Sequence, residues 1–253
     1  MADVAQYFGF NSSAYRVVDI GLDQRPFPYD RGLVQRSMPT TWFDADVRLV
    51  VSKLRTDPSE FAQLSIASLA GMALPVTDSV FADRQVNFRT ATMMLLDAAP
   101  PDGAVVDAWH AVAGGPFGVM GCHRPIDLHC FYAGTDALAV DRAVLTDLGV
   151  FDCRASPMLR LTAHWFGYSL PPLRWAIGGP SHIGEEIGGP HRSRLLRRLG
   201  EIGVPLYMYL SRDGQLFVPP FDPTAFPELT SASWSIRLVR RTVQRAFGIH
   251  PGS

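Results

Sequence analysis

From Tyr15 to Gly149 short runs rich in β-branched residues alternate with stretches of helical periodicity, and this alternation narrows the fold more than any other feature. Tyr15 to Gly21 (YRVVDIG), Asp46 to Lys53 (DVRLVVSK), Ala104 to Ala108 and His129 to Ala133 read as strands bounded by turn formers. Pro58 to Met72 carries apolar residues at helical spacing, with Asp57 placed as N-cap and Gly71 as C-terminal punctuation. Asp136 to Leu148 has the same character, with Asp136 in the cap position. The expected fold is an α/β domain whose mixed or largely parallel sheet is flanked by helices.

No linker composition divides the chain, so residues 1–253 are read as a single domain. After about residue 150 the pattern changes to an extension expected to pack on the same domain. Ile-Gly-Gly-Pro occurs twice, at Ile177 and Ile187, ahead of a helix candidate from Arg192 to Leu199. A strand-like run at Val204 to Leu210, a hairpin signal at Arg212-Asp213-Gly214 and a basic helix candidate from Ser233 to Phe247 follow.

Most reactive side chains lie between Ala104 and Gly149. Cys122-His123 and His129-Cys130 supply ligands suited to zinc or iron, so a divalent metal or iron is a candidate cofactor. The spacing is not that of a zinc finger, and in a strand His129 and Cys130 face opposite sides. Buried free thiols with hydrogen-bonded histidines are the favoured alternative. Gly114, Gly115, Gly118 and Gly121 form a loop whose backbone is able to approach an anion, but without the Lys-Ser/Thr of a phosphate-binding loop. Ordinary turn formation explains those glycines as well. Lys53, Arg55 and Asp57 close the second strand, at the end where open α/β sheets hold ligands.

Composition excludes several classes. The 23 basic and 24 acidic residues give a net charge of −1, so no overall field attracts nucleic acid or anionic lipid. Arg192, Arg194, Arg197, Arg198, Arg237, Arg240, Arg241 and Arg245 recur at near-helical spacing, as on a solvated helix face. No apolar run reaches about 18 residues, and the N-terminus lacks a signal-peptide order. Three cysteines cannot all pair, so free thiols in a cytoplasmic protein are expected.

Three pieces in order resemble the DUF362 family, a domain of unknown function. The first is Ala45 to Thr56 (ADVRLVVSKLRT), similar to that family's aspartate, hydrophobic strand and Lys-Leu-Lys-Thr-His ending. The second is Val106-Asp107-Ala108 with Gly114-Gly115-Pro116 and Gly121. The third is Ala133 to Asp141 (AGTDALAVD), similar to its Gly-Thr-Asp-Pro-Leu-Ala-Val-Asp element. Together they span roughly residues 40 to 150. The resemblance implies a bacterial cytoplasmic α/β protein, some of whose relatives carry iron–sulfur modules. It also implies a region before Tyr15, supplied here by a partner chain or second subunit or absent from a reduced version. Asp57 stands where the family has histidine, and Ala67-Ser68 where it has Lys-Asn. The chain has no ferredoxin-type cysteine run.

The expected function is an enzyme acting on a small organic anion bearing a carboxylate or phosphate. Lys53, Asp57, Asp136 and His123 are its candidate catalytic residues, with Arg55, the four loop glycines and Asp141 binding the ligand. The alternatives are a non-catalytic assembly subunit, as a homo-oligomer or with a partner chain, and a metal-binding protein using Cys122, His123, His129 and Cys130. Neither nucleic acid nor membrane is an expected partner.

Overall fold

The centre of the fold is a three-stranded mixed sheet with Gly103–Ala108 in the middle. It is seen in a computed structural model that describes residues 9–10, 12–20, 22–29, 33–58, 60–72, 81–110, 112–115, 118, 125–167, 172–189, 194–195 and 198. Strand β3 (Leu49–Lys53) runs parallel to β6 (Gly103–Ala108), and β6 runs antiparallel to β7 (Cys130–Gly134). The α/β class with a mixed sheet is the one expected.

Alternation along each strand divides the sheet into two faces. Val50, Ser52, Ala104, Val106, Ala108 and Tyr132 point into the core. That face is covered by α2 (Ser65–Leu69) and α4 (Ala137–Asp147). On the other face Leu49, Val51 and Phe131 stand 61%, 71% and 57% exposed. Lys53, Asp107 and Phe131 lie in one cross-strand row on this open face.

The expected strands at β3, β6 and β7 are present within a residue or a few of the bounds read from sequence. Asp136 caps α4 as expected, its Oδ1 accepting from the Leu138 and Ala139 amides. Two other expectations fail. Residues 15–19 form no strand, and Tyr15 and Val17 are exposed without a pairing partner. Instead β1 (Gln24–Tyr29) and β2 (Leu33–Pro39) form a two-stranded antiparallel ribbon, leading into the short α1 (Thr40–Asp44).

The helix expected over Pro58 to Met72 is correct only for α2 and the 3-10 turn Ala70–Met72. Its first half is a second ribbon, β4 (Arg55–Asp57) against β5 (Phe61–Gln63). Asp57 caps no helix there. Its carboxylate accepts from the Glu60 amide and Gln63 Nε2 and so closes the turn, with Phe61 left-handed at φ 67°.

The long α3 (Phe81–Ala98) and the α5 helix (Pro157–Phe166) complete the core. Residues Ala91 to Leu96 of α3 are all buried, so this stretch of the helix shows no polar face. Helix α5 has Ser156 as N-cap, Pro157 at its start and Gly167 left-handed after its end. Packed against α3, it puts the start of the extension on the same core. The two Ile-Gly-Gly-Pro copies are not equivalent, because Ile177 is exposed whereas Ile187, ending α6 (Gly184–Ile187), is buried. The readings made from Val204 onward, and most of Arg192 to Leu199, lie outside the described residues. Among the described residues no helix is long and apolar enough to cross a membrane.

Candidate functional site

At the carboxyl ends of the parallel strands the hydrogen-bond ladder opens. Lys53 is opposite Asp107, yet two residues later Arg55 is opposite Ala113. Residues 108–110 and 112 therefore bulge away from β3. They remain in register with the chain leading into β7, since Ala108 faces Cys130 and Val112 faces Ile126. On the β7 side the His129 amide donates to the Trp109 carbonyl at 3.1 Å. His129 is left-handed at φ 53°. A widened ladder and a strained non-glycine residue both recur at functional sites.

The side chains gathered there are Trp109, His110, Asp127 and His129, with Phe131 and Lys53 alongside. The His110 and His129 rings meet edge to face at 5.4 Å. Trp109 meets His129 at 5.4 Å and stacks on Phe131 at 5.4 Å and 17°. His110 Nδ1 is 3.3 Å from Asp127 Oδ1. That contact orients the His110 ring with Nε2 as its other polar atom.

Asp107 joins the cluster to the sheet. Its Oδ2 accepts from Lys53 Nζ at 2.8 Å and its Oδ1 from the Trp109 amide at 2.8 Å. Burial pushes the carboxyl pKa up, but those hydrogen bonds and the Lys53 charge outweigh it and hold the group below its ordinary value.

Of the four expected metal ligands, the described pair His129 and Cys130 point to different sides. His129 contacts Trp109 and His110 beyond the strand, whereas Cys130 turns toward Tyr132 and Asp147 on the helix-covered side. The pair therefore cannot meet at one ion. Cys122 and His123 lie outside the described residues, as does Gly121. Among the described residues no three His, Cys, Asp or Glu side chains converge as ligands. Burial pushes the Cys130 thiol up, so it is held as a thiol rather than a reactive thiolate. Tyr132, buried and donating to Asp147 Oδ2 at 2.8 Å, is pushed up for the same reason.

The glycine loop is packed against protein. Gly115 donates to the Ile187 carbonyl at 2.8 Å, and Thr56 Oγ1 donates to the Gly115 carbonyl. A Cβ on Gly114 would sit 2.5 Å from the Ile187 carbonyl oxygen, and one on Gly118 1.8 Å from that of Thr56. These glycines serve close backbone approach, with the Gly115 amide already engaged rather than presented to an anion. Arg55, exposed beside this loop, donates to Gln63. The carboxylate of Asp57 is committed to its turn.

Asp136 and Asp141 sit elsewhere. Strand β7 runs back from Phe131 beside Asp107 to Gly134 beside Ala104, so Asp136 lies at the opposite end of the sheet from Lys53. There Thr135 and Asp136 help line an open cleft of about 320 Å³ with Asp97, Leu138 and Phe166. Asp141 is buried, accepting from the Ser65 amide and hydroxyl and the Ile66 amide. It caps α2 from a neighbouring helix. Of the candidate residues read from the sequence, Lys53 and His129 lie in or beside this cluster and Arg55 lies beside the glycine loop, whereas Asp107, Trp109, His110 and Asp127 are not among them. The usable signal was Trp-His following directly on a strand end.

A mixed sheet with helices packed on it makes this an α/β protein, and among the described residues a polar cluster lies beyond its parallel strand ends. The profile of DUF362, a domain of unknown function, matches residues 1–146. The chain belongs to that family. No curated protein and no solved structure matches it.

Proposed function

We propose that this protein is an enzyme acting on a small organic anion bound beyond the carboxyl ends of β3 and β6. The observation that carries the reading is the widened ladder that gathers His110, His129, Trp109 and Asp127 beside the Lys53–Asp107 pair. Lys53 and Arg55 supply cations for a carboxylate or phosphate. His110, oriented by Asp127, moves a proton through Nε2. A bacterial, cytoplasmic setting belongs to the same proposal, supported by the free thiols of Cys130 and Cys153.

The test is thermal unfolding in inorganic phosphate, acetate, malonate and glycerol 3-phosphate. A ligand at ten times its Kd stabilises by about 1.4 kcal/mol. At least one anion should raise Tm, and Lys53→Met should abolish the rise. His110→Gln should keep the rise while losing exchange of a ligand C–H proton with deuterated solvent. No rise with any of the anions, or an undiminished rise in Lys53→Met, overturns the proposal.

The alternative, a subunit that assembles with a second copy, draws support from the exposed apolar row of Leu49 and Val51. It requires sedimentation as a dimer that Val51→Lys converts to a monomer. A wild-type monomer at all concentrations removes it.

A further inference from the structure

We infer that the ligand of this site is a planar aromatic acid, its ring stacked on the Trp109–Phe131 pair and its carboxylate on Lys53. The inference rests on the anion-site reading and adds the ligand's class. Trp109 and Phe131 are 41% and 57% exposed although stacked on each other. Each ring therefore has a face or edge left to solvent, and a flat π surface gains from offset stacking there.

The platform is held in place before any ligand arrives. Trp109 is fixed at both main-chain polar groups, its amide on Asp107 Oδ1 and its carbonyl receiving the His129 amide. The other Asp107 oxygen holds Lys53 Nζ. One carboxylate thus positions the aromatic wall and the cation together, which makes Asp107 a positioning residue. Lys53, Asp107 and Phe131 are successive partners across the sheet. With strands about 4.8 Å apart, cation and platform are separated by roughly two strand spacings, or about 10 Å between backbones. The lysine stem spans part of that distance, leaving room for a ring joined to a carboxylate by a short planar linker. His110 and His129 edge the platform with polar groups that favour a ring lying flat over one inserted upright.

The experiment is calorimetric titration of the full chain with trans-cinnamate and with 3-cyclohexylpropanoate, which matches it in size and charge but has no π face. The expected result is binding of cinnamate about tenfold tighter. Trp109→Leu should erase that preference while leaving the weaker acid unchanged, and Lys53→Met should weaken both acids alike. Equal affinities, or a preference that survives Trp109→Leu, overturn the inference while the anion-site reading stands. If neither acid binds but one of the four small anions raises Tm through Lys53, the inference again fails alone. If no anion of any kind binds, both fall.

Discussion

Asp141→Ala is expected to lower stability by about 3–5 kcal/mol, because it strands the buried Ser65 and Ile66 amides and leaves the Ser65 hydroxyl only its longer bond to the Ala137 carbonyl. The carboxylate is 1% exposed and accepts from those groups at 2.9, 3.0 and 2.5 Å. Leu64, the residue in the N-cap position of α2, offers no side-chain acceptor. The helix start therefore depends wholly on Asp141. For a domain of this size a loss of 3 kcal/mol corresponds to a fall in Tm of about 6–12 °C. Urea unfolding followed by far-ultraviolet circular dichroism measures it, and a loss below about 1 kcal/mol would sink the account.

The same residue gives stability a pH dependence of definite sign. Burial pushes the Asp141 carboxyl from its ordinary 3.8 to about 6, the hydrogen bonds from Ser65 and Ile66 opposing but not cancelling it. The folded chain then holds this proton more tightly than the unfolded chain. The contribution is full below about pH 4 and declines as pH rises toward 6, by about 3 kcal/mol in all. Asp141→Asn keeps a neutral acceptor and cannot ionise. Between pH 4 and pH 7 the stability difference from wild type should therefore move by about 3 kcal/mol in the variant's favour. A pH-independent difference would show that the carboxylate ionises without penalty.

The sequence carries those parts of the fold whose causes are local. Strands β3, β6 and β7 announce themselves through β-branched residues between turn formers, and α4 through an aspartate placed to cap it. His129, left-handed just before β7, turns toward Trp109 and His110 while Cys130 faces the helix-covered side, so these two neighbours do not close on one ion. Features set by distant partners are not legible. The cap of α2 comes from Asp141, 76 residues from Ser65, and no local pattern marks it. The run from Ala91 to Leu96 is buried on every side of α3, so it shows no amphipathic period. The candidate site depends on a mismatch between Lys53–Arg55 and Asp107–Ala113, which exists only once the strands pair. Reading Lys53 and Asp136 into one pocket failed for a related reason. The antiparallel direction of β7 carries Asp136 to the far edge, whereas a parallel strand would have brought it near.

Glu60→Ala should be the other large loss, about 3–5 kcal/mol, because one buried carboxylate joins three parts of the fold. Its Oε1 accepts from Arg89 Nε at 2.8 Å and lies 2.7 Å from a second guanidinium nitrogen, tying the β4–β5 turn to α3. Its Oε2 accepts from Ser156 Oγ at 2.7 Å and from the Met158 amide at 2.8 Å, tying the same turn to the start of α5. Removing the carboxylate leaves a largely buried guanidinium without its partner and an unsatisfied amide at the helix start. Glu60→Gln keeps one acceptor oxygen but turns an NH2 donor toward the donors on the other side and removes the charge, so it should recover only part of the loss. With the Glu60 side chain 7% exposed and that of Arg89 22%, bulk salt screens the pair weakly. The loss in Glu60→Ala should therefore persist in about 0.5 M sodium chloride, where a surface pair's contribution would fade. A double-mutant cycle with Arg89→Ala should give a coupling of about 1–3 kcal/mol. If the two losses simply add, the carboxylate and the guanidinium act independently and the three-way brace is wrong.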